Sequence, residues 1–253
     1  MEFGFSKELD LLREMYKKFA ETEIKPLAEE LDEEERFPVE SIPKLARYGF
    51  MGIPFPKEYG GAGGNYLTYA MAIEELGKVC GTTAVVVSAH TSLCAGPIYY
   101  FGTEEQKQKY LVPLAKGEKV GAFGLTEPSA GTDSSMQQTT AKLEGDEYVL
   151  NGTKVFITNA GYADIYVVIA MTDKSKGTKG ISAFIKGNSI RRIRKGFFCE
   201  SHGNTRKYEA YRQKQRQQTP DIFSHKSIPP NKSALYFNIE KNLVNRDMQH
   251  IFS

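Results

Sequence analysis

The spacing of apolar residues in this chain changes once, near Val120, and that change limits what the chain can fold into. Before it, apolar residues recur every three or four positions, the period of a helix face. After it, they alternate, the period of a half-buried strand. Leu9, Leu12, Tyr16 and Phe19 share one helix face behind Ser6, whose hydroxyl suits a helix start. A short helix from about Glu40 is predicted to stop at Tyr48-Gly49, with Gly as the stop signal. Helices resume near Leu67, with Ala70, Met71, Ile73 and Leu76 on one face. The next helix, around Thr83 to Cys94, is apolar nearly all round and belongs inside. Thr103-Glu-Glu-Gln106 is a capping box that opens a helix to Ala115, stopped before Gly117.

From Val120 onward the chain reads as strands. Gln138–Leu143 and Glu147–Leu150 join at Gly145-Asp146. Asn151-Gly152 is a strong hairpin signal, because both residues tolerate positive φ, and it makes Thr153–Thr158 a return strand. Ile165–Met171 and Ile181–Ile185 are two further apolar strands. The fold class is therefore α+β: an N-terminal all-helical domain over residues 1–118, then an incomplete antiparallel β-barrel-like domain over 119–186. After Lys186 the pattern fails. Arg191-Arg-Ile-Arg-Lys195 and Tyr211-Arg-Gln-Lys-Gln-Arg-Gln-Gln218 are basic and polar, and Phe197, Phe198, Leu235, Tyr236 and Phe237 follow no period. Residues 187–253 are expected to form no regular structure.

Charge marks the same boundary. Residues 1–186 hold 20 Lys+Arg against 26 Asp+Glu, and residues 187–253 hold 13 against 5. Two origins fit such a tail: a reading-frame shift, which is favoured, or a basic appendage for nucleic acid or anionic lipid. The tail carries no recognisable binding motif, so nucleic acid is not an expected partner. No apolar window long enough to span a membrane occurs. The first residues lack a basic region followed by an apolar run, which predicts a cytoplasmic protein. Cys80, Cys94 and Cys199 have no paired spacing and read as reduced structural thiols. The histidines His90, His202, His225 and His250 show no metal-ligand spacing, so no metal is expected. His90 reads as a hydrogen-bonded core residue. Walker, Rossmann and nucleophile-elbow motifs are all absent.

Two segments remain as candidates for chemistry. In Phe123-Gly-Leu-Thr126-Glu-Pro-Ser-Ala-Gly-Thr132-Asp133 a strand breaks into a loop of small residues. Such a loop leaves backbone N–H groups and hydroxyls open to phosphate oxygens. In Lys154-Val-Phe156-Ile-Thr158-Asn159, a strand places Phe156 and Thr158 on one face. An aromatic beside a hydroxyl suits a flat heteroaromatic ring. Read from residue types alone, a Thr-rich hairpin facing solvent is the favoured reading.

Gly124-Leu-Thr-Glu-Pro-Ser-Ala-Gly-Thr-Asp133 resembles the first signature of the acyl-CoA dehydrogenases, and Asn151-Gly-Thr-Lys-Val-Phe-Ile-Thr-Asn-Ala-Gly161 resembles their second flavin segment. Tyr59-Gly-Gly61 and Phe101 to Ala115 are similar to the family's helical domain. Ser92-Leu-Cys-Ala-Gly-Pro97 and Met171 to Gly177 resemble its short-chain, butyryl-CoA members. The resemblance covers residues 1 to about 186. It implies FAD, bound by Phe123, Gly124, Leu125, Thr126, Gly131, Thr132, Phe156, Ile157 and Thr158. Within that set Thr126 would bond the pyrimidine side of the flavin and Thr132 would also face the CoA substrate. Phe156 stands where the family often has Trp, and Thr158 would donate towards flavin N5. The implied reaction is α,β-desaturation of a short-chain acyl-CoA: a glutamate removes the α-proton, the β-hydride passes to the flavin, and the electrons go to an electron-transferring flavoprotein. The family's C-terminal helical bundle, which supplies that glutamate and the tetramer interface, has no counterpart after Lys186. No catalytic residue is therefore assigned, Glu127 is given a structural role, and weak turnover is expected. The alternative is a non-catalytic flavin- or CoA-binding fragment, or an interaction module with a basic tail.

Overall fold

A computed structural model of the chain describes residues 6–145, 147–187 and 235–237. The first half is helical. Helix α1 (Lys7–Phe19) starts where Ser6 accepts from the Leu9 N–H, and it buries Tyr16 and Phe19. Helices α2 (Lys25–Glu33), α3 (Ser41–Arg47), α4 (Tyr66–Val79), α5 (Gly81–Ser88), α6 (Gly96–Phe101), α7 (Glu104–Gln106) and α8 (Val112–Ala115) follow. Gly49 (φ 74°) ends the α3 turn and Gly117 (φ 72°) follows α8, both in the left-handed region that favours glycine. The Thr103/Gln106 capping box forms as the spacing predicts.

Three stretches predicted as plain helix widen into π turns: Ala20–Ile24, Ala89–Ala95 and Lys107–Leu111. Each ends two residues before a proline. The amides of Lys25, Gly96 and Val112 bond the carbonyl five residues back, at Ala20, Thr91 and Lys107. Pro26, Pro97 and Pro113 have no N–H and their rings crowd the preceding turn. The helix continues past each only by opening one turn, and this accounts for all three.

The strands are β1 (Gly121–Gly124), β2 (Thr140–Glu144), β3 (Glu147–Asn151), β4 (Ile165–Met171), β5 (Ile181–Gly187) and β6 (Leu235–Phe237). The sheet order is β1-β4-β2-β3-β6, with β5 also on β4. The expected antiparallel sheet is in fact mixed. β1 runs parallel to β4 from Gly121↔Ile165 to Gly124↔Val168, and β2 touches β4 in parallel at Thr140↔Met171. The hairpin pairs β2–β3 and β4–β5 are antiparallel. The parallel pairing follows from the helical half, which delivers β1 directly beside the start of β4. Leu235–Phe237, expected to be unstructured, pairs antiparallel with β3 through Tyr148↔Phe237 to Leu150↔Leu235. A three-residue strand on an open sheet edge needs only backbone groups, so side-chain periodicity does not announce it. The basic stretches 191–195 and 211–218, with Phe197, Phe198 and Cys199, lie outside the described residues.

The largest departure is at residues 153–158. Asn151-Gly152 does not close a hairpin, and Thr153–Thr158 is not a strand. From this stretch the Val155 backbone N–H donates to Thr126 O at 2.9 Å, a single backbone contact in place of a strand ladder. Phe156 (φ 57°) and Asn159 (φ 69°) then turn the chain left-handed, which no strand tolerates.

All seven residues of β4 are buried, because both faces of the sheet are covered. Alternation sorts its side chains. Ile165 and Val167 pack with Cys94, Ile98, Leu111 and Leu114 of the helical half. Tyr166, Val168 and Ala170 pack with Ala122, Leu150, Ile157 and Phe184 on the opposite face. A separate helical core joins Phe19, Ile24, Leu45, Phe50 and Leu76. Among the described residues, no helix is long and apolar enough to cross a membrane.

Candidate functional site

Strand β1 ends at Gly124 and delivers Leu125 and Thr126, both half-buried, to a loop that returns at β2. The loop closes first on itself: Glu127 and Ala130 exchange both backbone hydrogen bonds at 3.1 Å. Beyond that turn Gly131, Thr132 and Asp133 are exposed. No atom lies within 4 Å of where a Gly131 side chain would begin, so the loop crest is open. Asp133 accepts from the Ser135 N–H (3.0 Å) and hydroxyl (2.5 Å), bonds that hold its carboxyl below the usual range.

Beneath the crest lies an ion pair that sequence reading did not find. Lys154 is 1 % exposed and Glu127 3 %, and the Lys154 ammonium donates to Glu127 Oε1 at 2.7 Å. It also donates to the Leu125 carbonyl (2.8 Å) and to Gln137 Oε1, which places one acceptor at each of its three protons. Gln137 Nε2 donates to the same Leu125 carbonyl at 3.2 Å. Glu127 further accepts from the Gln138 N–H (2.6 Å) and the Thr139 N–H (3.0 Å). Burial pushes the Glu127 carboxyl up. Its hydrogen bonds from Lys154, Thr139 and Gln138 more than offset that, so it stays below the ordinary carboxylate range. Burial lowers Lys154, opposed by the same pair. Glu127 is thus bonded into the loop by Lys154 and two backbone amides. Nothing in the sequence signals it: alternation puts Lys154 on the outward face with Phe156 and Thr158, and its carboxylate lies 27 residues away.

The second segment arrives without strand geometry. Phe156 is 83 % exposed, although a bulky residue at positive φ is costly. Ile157 is 4 % exposed, and its N–H meets no acceptor among the described residues. Thr158 is half-buried. Phe156 and Thr158 do not share a strand face, yet both remain on the open side of the fold. The hydroxyls of Thr126, Thr132 and Thr158 have no hydrogen-bond partner among the described residues. The Val155–Thr126 and Lys154–Leu125 bonds make the two segments neighbours, and together they are one candidate surface. Phe123 and Gly124 lie under it, half-buried and buried, as strand residues.

Asn159 anchors the far end of that surface. Its Nδ2 donates to Val86 O (3.1 Å) in α5 and to Gly121 O (3.0 Å) in β1. His90, fully buried, accepts from the Gly121 N–H at Nδ1 (2.9 Å) and faces Leu114 O through Nε2 (3.2 Å). Burial lowers its pKa to about 4, so the ring is neutral. His90 is the core histidine that the sequence predicted. Cys80 and Cys94 are buried free thiols. Among the described residues no cluster of His, Cys, Asp or Glu could hold a metal.

The surface is chemically suited to a planar, hydrogen-bonding, anionic ligand. It offers one exposed aromatic, three hydroxyls without protein partners, a buried amide without an acceptor and an open small-residue crest. A flavin dinucleotide fits that donor set.

Residues 6–118 match the family model described as acyl-CoA dehydrogenase, N-terminal domain, and residues 122–197 match the middle domain. The short-chain specific acyl-CoA dehydrogenase of Clostridium acetobutylicum is 65 % identical over 198 residues, which are 76 % of this chain and 52 % of the relative. The solved butyryl-CoA dehydrogenase of Megasphaera elsdenii superposes with a TM-score of 0.71 at 48 % identity, covering 76 % of this chain and 51 % of that one. A structure described as the electron transferring flavoprotein of Acidaminococcus fermentans superposes with a TM-score of 0.73 at 55 % identity, covering 76 % and 50 %. The chain thus spans about half the length of the curated relatives it matches.

Proposed function

This chain belongs to the acyl-CoA dehydrogenase family, and from that premise we propose that residues 123–132 and 156–158 form one wall of an FAD site in a short-chain acyl-CoA dehydrogenase. The observation that carries the reading is the Phe156–Thr158 turn: an aromatic held out to solvent against its backbone preference, beside a buried amide and a hydroxyl that protein atoms leave unbonded.

In this reading Phe156 packs on the isoalloxazine and Thr158 donates at its N5 edge. Leu125 and Thr126 meet the pyrimidine side, and Gly131 and Thr132 lie towards the pyrophosphate and the CoA moiety. Bound FAD supplies the hydride acceptor. The chain's own residues bind and orient it and shield one face. An electron-transferring flavoprotein is the proposed electron acceptor, which accords with the structural likeness to the Acidaminococcus fermentans protein. The α-proton needs a carboxylate free to receive it. At this wall Glu127 is spent on Lys154 and two amides, and Asp133 on Ser135. Among the described residues the wall binds and does not abstract.

The test is an FAD titration of the purified chain followed by flavin fluorescence. Saturable quenching that weakens in Phe156→Ala and Thr158→Val supports the wall. No saturable binding refutes it. Anaerobic butyryl-CoA then separates two activities: bleaching of the bound flavin marks a dehydrogenase, and colour without bleaching marks a binding unit alone.

A further inference from the structure

We propose that Lys154 is a positioning residue that clamps the two flavin-facing segments together and sharpens the Thr126 amide as a donor to the ligand. This rests on the FAD reading above. Lys154 comes from the second segment and bonds the first twice, at the Leu125 carbonyl (2.8 Å) and at Glu127 (2.7 Å). Its third proton goes to Gln137, at the end of the same loop. One buried ammonium therefore fixes the beginning and the end of the loop that carries Thr126, Gly131 and Thr132.

The Leu125 carbonyl and the Thr126 N–H belong to one peptide unit. A cation on the oxygen, joined there by Gln137 Nε2 at 3.2 Å, draws electron density through the amide and leaves the N–H a stronger donor. That N–H has no partner among the described residues, and the Thr126 side chain beside it is half-buried. The orientation is equally constrained. With both lone pairs of the Leu125 oxygen committed inward, the opposite end of the peptide is held outward. Glu127 balances the charge, so the wall stays neutral overall while one peptide is polarised.

The experiment uses the full chain and compares wild type, Lys154→Met and the double variant Glu127→Gln/Lys154→Met. The double variant leaves no unpaired buried charge, so it folds even where the single one does not. Three readouts are taken: amide hydrogen exchange of residues 125–139 without FAD, the FAD dissociation constant, and the flavin carbonyl stretches at saturating FAD by Raman spectroscopy. Exchange in 125–139 is expected to accelerate about tenfold to hundredfold, matching the loss of charged hydrogen bonds, while helix amides hold. FAD binding weakens by a similar factor. The flavin carbonyl stretches move to higher wavenumber, because the donor facing them weakens; a purely structural role would not shift them once FAD is saturating. Wild-type binding with unchanged affinity and stretches in the double variant overturns the positioning role and leaves the flavin reading intact. Absence of FAD binding by the wild type overturns both.

Discussion

Lowering the pH is predicted to unlock the junction between helices and sheet through His90. The ring sits between Leu114 O and the Gly121 N–H at 0 % exposure. Because Nδ1 accepts from Gly121, the single ring proton is on Nε2 and donates to Leu114. Protonating Nδ1 would place an N–H against an N–H inside an apolar setting. The folded-state pKa is accordingly about 4, against an ordinary histidine value near 6.5. Between those values the unfolded chain binds the proton and the folded chain does not, so stability falls as pH drops from about 6.5 to about 4. The integrated loss is about 3 kcal/mol, a large part of a typical folding free energy. The assay is urea unfolding at a series of pH values from 7 to 4, on wild type and His90→Asn. The variant keeps an acceptor for Gly121 but cannot titrate. Carboxylates contribute equally to both proteins and cancel. The variant is less stable at pH 7, and its deficit shrinks by about 3 kcal/mol at pH 4. Parallel pH profiles, or a His90 imidazole titrating near 6.5 by NMR, would refute the reasoning.

Burial lowers Lys186 to about 7, and its ammonium lies 5.5 Å from the Tyr166 ring centroid. Holding it charged costs stability below pH 7, and the cost is relieved as pH rises towards 10. Lys186→Met should be the more stable protein at pH 6, by up to about 5 kcal/mol, with the gap closing by pH 10 in thermal melts; a gap independent of pH sinks the idea. Phe156→Asn replaces a strained left-handed residue with one that tolerates the conformation. It should gain about 1 kcal/mol in urea unfolding while weakening FAD binding. Equal stability would mean the turn carries no strain. Thr103→Ala removes the capping-box acceptor for the Gln106 N–H and should cost about 1 kcal/mol by the same measurement.

What the sequence disclosed and what it hid divide along one line. Features set by neighbours a few residues apart were legible. The Ser6 and Thr103 caps and the apolar strand β4 formed where spacing put them, and the apolar run from Thr83 is buried except at residues such as Val85 and Leu93. The burial of His90, which an apolar helix surrounds, was legible too. Features set by distant partners were not. Lys154 reads as a surface lysine because its carboxylate lies in another segment, and only the fold brings the two to 2.7 Å. The turn at Phe156 contradicts local preference, so propensity pointed to a strand there. The parallel register of β1 on β4 depends on where the helices deliver β1. Of the site, the residue types of the two segments could be read, but their common surface could not.

The widened turn at Ala89–Ala95 sets more than a local shape. An ideal helix advances about 100° per residue, so one extra residue accommodated in a π turn resets the angular phase of everything beyond it. His90 enters that turn aimed at Gly121, and Cys94 leaves it with its Sγ 3.6 Å from Ile165 O. A side chain begun at Gly121 would meet the Cys94 Cβ and Sγ at 2.7 Å, so helix and strand touch with no room for slip. Deleting one residue from Thr91–Leu93 would return the segment to ordinary winding and rotate Cys94, Ile98 and Pro97 about the axis relative to His90. The two contacts that seat the sheet on the helices could then no longer form at once. Thr91 is buried and bonds Met51 O, but length, more than chemistry, is what the exposed Ser92 and Leu93 contribute, and shortening the turn there should be tolerated far less well than changing them.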